Sequence, residues 1–150
     1  MPGLRQLSFI FWLAVFGVGS SAARAEDGLP SGLGHADQAA IRQVIERQLD
    51  AFRRDDDNGA FALAAPGIRA LFGDPENFMA MVKSGYQPLY RPREFSFEPL
   101  LERDGMIVQR MRVVGADGPA HLALYTMERQ VDGRWLIAGC LLLDLHEGSV

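Results

Sequence analysis

The stretch of this chain that carries the most chemistry per residue runs over positions 85–93, where Tyr86, Tyr90, Arg91 and Arg93 are interleaved with Pro88 and Pro92. Two prolines stiffen an extended connector. The phenolic rings can wall an apolar pocket, and the guanidinium groups can hold a carboxylate or phosphate through paired hydrogen bonds. These four residues form the candidate ligand-binding set. A plainer reading outweighs it: the prolines route the chain from a helix into a sheet, the tyrosines pack over the edge of the core, and the arginines stay solvated.

Other constellations are weaker. The acidic run Asp55, Asp56, Asp57, Asn58, Gly59 invites a calcium reading. The loop template fails, because aligning Gly59 with its required glycine puts Arg54 at the first ligand position and Ala65 at the last. His35, His121 and His146 are far apart, with no second His or Cys at helical spacing, so no metal site and no cofactor are expected. His121 with Glu128 or Asp50 would make an acid and a base across a pocket. His121 and Glu128 are seven residues apart, however, and face opposite sides of a regular strand unless a bulge intervenes. Cys140, the single cysteine, sits in the apolar run 136–143 and reads as a small buried hydrophobe rather than a nucleophile. No nucleophile elbow, phosphate-cradling loop or dinucleotide fingerprint occurs, so the common hydrolase, nucleotide and redox-cofactor classes lack their usual support.

The elements that must position these residues follow from periodicity. Ile41, Val44, Ile45, Leu49 and Phe52 recur at helical spacing, with Asp37 placed to cap the first turn. Residues 60–65 and 68–72 suggest two short helical pieces joined at Pro66. Asp74 followed by Pro75 is a strong helix start, Phe78, Met79 and Val82 form the apolar face, and Gly85 ends the helix. Four strands are predicted over 94–101, 106–114, 121–130 and 135–143, separated by Asp-Gly turns at 104–105, 117–118 and 132–133. Short turns permit only antiparallel neighbours, so the second half is a four-stranded meander and the fold class is α+β. The last strand is apolar on both faces. Strict alternation puts Trp135, Ile137, Leu141 and Leu143 on one side and Leu136, Ala138, Cys140 and Leu142 on the other.

The first 25 of the 150 residues have the order of a secretory signal peptide: Arg5, an apolar stretch over 9–18, then small residues ending in Ala23 and Ala25, with cleavage expected before Glu26. The apolar run is shorter than the roughly 20 residues that cross a bilayer, and no cysteine follows it for lipid attachment. The expected mature protein is therefore periplasmic or secreted, without a membrane anchor. Its organisation is a flexible leader over 26–36 and a single domain over 37–146. Losing Arg5 and Arg24 leaves 13 basic against 19 acidic side chains, a net charge of −6. That balance makes nucleic acid and anionic lipid poor partners. With one cysteine no intramolecular disulfide forms, so stability must come from packing.

Longer motifs carry a resemblance. Gln48-Leu49-Asp50-Ala51-Phe52, Ala65-Pro66-Gly67-Ile68-Arg69, the run from Pro75 to Val82, Leu124-Tyr125-Thr126-Met127-Glu128 and the run from Asp132 to Cys140 together resemble domain-of-unknown-function family 4864, small exported bacterial proteins, over residues 37–143. No activity is assigned to that family, so no catalytic residue carries over. The order of a long helix, shorter helices and a curved meander is also similar to the nuclear-transport-factor-2-like cone fold of the cystatin-like group. That resemblance implies pairing of sheets and a pocket between helix and sheet, used by small enzymes, binding modules and association domains alike. The leading expectation is a non-catalytic periplasmic module that binds a small ligand or an envelope protein and forms a homodimer through its outer sheet face. A small hydrolase or isomerase with an acid/base pocket, and a structural association domain of an envelope complex, are the alternatives.

Overall fold

A computed structural model describes residues 28–116 and 118–145 of the chain. The expected signal segment with Ala23, Ala25 and Glu26, the turn residue Asp117 and His146 lie outside the described residues.

Helix α1 (His35–Arg53) buries Ile41, Ile45, Gln48, Leu49, Ala51 and Phe52 on one face, the spacing that defines an amphipathic helix. It starts two residues earlier than its periodicity implies. Gly34 is the N-cap, and Asp37 sits in the first turn with its carboxylate reaching back to accept from the Gly34 backbone N–H at 3.2 Å. The segment ahead of it is no detached leader, because Leu29 and Leu33 pack against the core. At the other end Asp55 takes a positive φ of 53°, one of the few conformations that stop a helix without glycine. Asp56 then caps α2 (Asp57–Ala62) by accepting from the Gly59 N–H at 2.9 Å. Within the acidic run the Asp56 carboxylate thus has a local structural partner.

Leu63 to Ala65 lie along the last strand, with Ala65 N–H donating to the Ile137 carbonyl at 2.8 Å and Ile137 N–H to the Leu63 carbonyl at 2.9 Å. Pro66 opens α3 (Pro66–Phe72), which ends at Gly73 and has no fully buried residue. Helix α4 (Pro75–Gly85) starts as its sequence implies, with Asp74 accepting from the Asn77 N–H at 2.8 Å. The stretch read as an extended connector contains instead a single helical turn, α5 (Gln87–Tyr90), which buries Leu89. Proline in the first turn of a helix loses no hydrogen bond, so Pro88 favours that turn where a stiff extended link was expected.

The second half is the antiparallel meander: β1 (Pro92–Arg103), β2 (Met106–Gly115), β3 (Ala120–Arg129) and β4 (Trp135–Asp144), in the sheet order β1-β2-β3-β4. Asp104 and Gly105 both have positive φ, the geometry of a tight two-residue hairpin turn. The helices cover one face of the sheet, where Met111, Val113, Ala123, Tyr125, Met127 and Ile137 meet α1 and α4 in the core. Helices on one face of an antiparallel sheet make this an α+β fold.

Two irregularities shape the sheet. Around Pro99 the β1 register shifts between Phe97 and Leu100, and the side chain of Gln109 fills the gap, donating to the Glu98 carbonyl at 2.6 Å. In β4 the register shifts by one at Ala138, so that Ile137 pairs with Met127 but Cys140 pairs with Tyr125 and Leu142 with Ala123. This bulge overturns the strict alternation. Ile137, Cys140 and Leu142 share the core face, whereas Leu141 and Leu143 point outward and are 54% and 40% exposed. Leu122, Leu124, Val108 and Leu141 line a hollow on the outer face that no described element covers.

Candidate functional site

An apolar cavity lies between the helices and the last two strands. It has a volume of about 390 Å³. Helix α1 contributes Gln48 and Phe52, α3 contributes Ile68, Leu71 and Phe72, and α4 contributes Phe78, Met81 and Val82. The sheet closes the floor with Tyr125, Ile137 and Cys140. Phe52 and Phe72 flank Phe78, with ring centroids 6.3 and 5.6 Å away. Leu71, 74% exposed, stands at the rim.

The β4 bulge is what admits Cys140 to this wall, and the Leu63 to Ala65 bridge sets α3 beside it. No Asp, Glu, His, Lys or Arg lines the cavity. Its titratable groups are two tyrosines and the cysteine, and all are held in the neutral form. Burial pushes the Cys140 thiol up to about 12. Burial also raises Tyr125 well above the ordinary phenol range and Tyr86 above it, with Cys140 close enough to both to oppose their ionisation further. Tyr86 donates its hydroxyl proton to the Cys140 carbonyl at 2.9 Å, satisfying an edge-strand acceptor. Gln48 reaches the Ala60 carbonyl at 3.4 Å. The hydroxyl of Tyr125 is fully buried and has no hydrogen-bond partner among the described residues.

The four residues singled out in the connector do not form one site. Tyr86 alone lines the cavity. Tyr90 donates a short hydrogen bond to Asp55, and Arg91 donates to the other oxygen of Asp55 at 3.0 Å and to the Phe52 carbonyl at 2.6 Å. The Arg91 guanidinium also lies 3.9 Å from the centroid of the Tyr90 ring. This cluster ties α5 to the C-terminus of α1, which is a structural task. The Tyr90 hydrogen bond, with the charge of Arg91, lowers the pKa of Asp55. Arg93 is exposed and lines a separate groove with Arg112 and Leu145.

The acid and base pairings considered for His121 are not brought together either. His121 Nδ1 lies 2.9 Å from Asp144 Oδ1 across the β3–β4 pair, Glu128 is exposed beside Gln130, and Asp50 pairs with Arg54 at 2.9 Å. Among the described residues no cluster of three or more His, Cys, Asp or Glu can hold a metal, and no helix is long and apolar enough to cross a membrane. The residues missed in sequence were visible as exceptions to pattern. Gln48 is a polar residue on the apolar face of α1, and Tyr125 carries a hydroxyl at a core position of an alternating strand.

Comparison with curated proteins gives no match. A solved 2.5 Å structure from Catenulispora acidiphila is 19% identical, covering 73% of this chain and 91% of its own, with a TM-score of 0.46. The family described as a domain of unknown function (DUF4864) matches residues 34–150, and the chain belongs to that family.

Proposed function

We propose that this chain is an exported, non-catalytic binding module that holds a small apolar molecule between its helices and its sheet. The observation that carries the reading is the cavity of about 390 Å³ whose lining is aliphatic and aromatic and free of charge. That volume falls within the range of ligand pockets, and apolar walls with few polar groups are their usual composition. An acid/base mechanism needs a group that changes protonation near neutral pH, whereas Tyr86, Tyr125 and Cys140 all have raised pKa values. Export is supported by the Arg5, apolar run and Ala23/Ala25 pattern of the first 25 residues.

Association as a homodimer is supported by the outer sheet face. Leu122, Leu124 and Leu141 form an uncovered apolar patch beside the paired charges of Arg110 and Glu98. An uncovered apolar patch of this kind suits a second copy of itself across a two-fold axis.

Native mass spectrometry of protein recovered from the periplasm tests all three elements. The expected species begins at Glu26, is dimeric, and carries a small bound mass that disappears in Met81→Trp, where the larger ring fills the cavity mouth. A dimer that never retains or takes up an apolar molecule, with the wild type and Met81→Trp indistinguishable, defeats the binding reading.

A further inference from the structure

We infer that the cavity selects uncharged amphiphiles, molecules with an apolar body and one hydrogen-bond-accepting oxygen such as a ketone, ester or ether, and that Tyr125 is the residue that recognises this oxygen. The inference rests on the cavity being the binding site and deepens that reading.

The hydroxyl of Tyr125 is the carrying observation. Tyr125 is 1% exposed and lines the cavity, and its oxygen is buried without a partner among the described residues. A buried hydroxyl in that state is destabilising, and native interiors seldom retain one without a reason. Phenylalanine would fill the same space without that penalty. The neighbouring polar groups do not relieve it: Tyr86 spends its proton on the Cys140 carbonyl and Gln48 is turned to the Ala60 carbonyl. The chain thus keeps one unused donor at the floor of an apolar cavity. A ligand acceptor oxygen is the chemistry that uses it.

The same surroundings exclude the anionic relatives of such ligands. No cation lines the cavity to neutralise a carboxylate or phosphate. The desolvation that suppresses ionisation of Tyr125 and Cys140 would oppose a ligand anion equally. The guanidinium groups that would suit an anion are elsewhere, Arg91 in the α1–α5 clamp and Arg93 in the separate groove.

The test uses the purified protein and the neutral fluorescent probe N-phenyl-1-naphthylamine, displaced in turn by octane, 2-octanone and octanoate. These three ligands have the same chain length and differ in head chemistry. The ketone is expected to displace the probe about fivefold more strongly than octane, the worth of one hydrogen bond. Octanoate is expected to be the weakest, by about tenfold or more against the ketone, because its charge enters without a partner. In Tyr125→Phe the ketone falls to the level of octane while octane itself is unchanged. The ligand-free variant melts no lower than the wild type, since the group removed had no partner. Octanoate binding as tightly as the ketone, or a ketone-to-octane ratio that survives Tyr125→Phe, overturns the selection while leaving the cavity as a binding site. Failure of the probe and all three ligands to bind defeats the cavity reading itself and this inference with it.

Discussion

At the scale of single residues, the carboxylates of this chain join elements more than they prepare chemistry. Asp37 accepts from the Gly34 backbone and from Trp135 Nε1 at 3.2 Å each and pairs with Arg129, so one side chain joins the start of α1 to the β3–β4 hairpin. The Gly34 hydrogen bond, then Trp135 and the charge of Arg129, hold its pKa below the ordinary value. A depressed carboxylate pKa contributes stability that is complete above the unfolded-state value and is lost as the pH falls through the folded one. Acid should therefore unfold the domain progressively below the ordinary aspartate range, with Asp55 adding to the loss in the same direction. Thermal melts of Asp37→Asn across a pH series should show a lower midpoint at neutral pH and a shallower fall in acid. A variant that keeps the full wild-type slope would remove Asp37 as a contributor.

The elements divide by how local their causes are. Helix α4 and the Asp104-Gly105 hairpin were legible in the sequence because a cap residue, a following proline and two positive φ values are decided within four residues. The one-turn α5 and the β4 bulge were not, because each answers to distant partners. Helix α5 is held by the Arg91 contacts with α1, and the bulge is fixed by pairing with β3 and by the Leu63 to Ala65 bridge. A close approach between α5 and β2 makes the first of these testable. A Cβ built on Gly115 would meet the Pro88 Cα at 3.1 Å and its Cβ at 3.3 Å, so one of two backbones must yield. Gly115→Ala should destabilise the domain by about 1–3 kcal/mol, as overpacking of this kind does. Urea unfolding at constant m-value measures it, and an unchanged midpoint would mean that α5 moves aside freely.

For the whole molecule, the α+β meander was readable in the residues and the lining of the cavity was not. Strand count and turn positions follow from alternation and Asp-Gly pairs, which lie along the chain. The cavity draws on residues from Gln48 to Cys140 in α1, α3, α4 and two strands, so no contiguous stretch announces it. The connector at 85–93 attracted notice for its composition, yet only Tyr86 reaches the wall, while Tyr90 and Arg91 serve the helix junction. The outer sheet face was legible as an excess of apolar residues in β4, although the bulge decides which of them it displays. Leu124→Asp, placed in that patch opposite Leu141, should convert a dimer to a monomer in sedimentation velocity without altering probe affinity at the cavity. Dimers that persist unchanged would place association on another surface.

The extra residue at Ala138 gives β4 an unusual relation to chain length. Most strands of a meander tolerate a residue gained or lost at a turn, because the loop absorbs the change before pairing begins. Here the slack lies within the strand itself. Removing Ala138 would let Gly139 follow Ile137 directly in the ladder and restore regular pairing with every downstream residue on its present face, Cys140 and Leu142 inward, Leu141 and Leu143 outward. A single in-frame deletion at that point would thus keep both the cavity wall and the outer apolar face, where the same loss in a regular strand would exchange them.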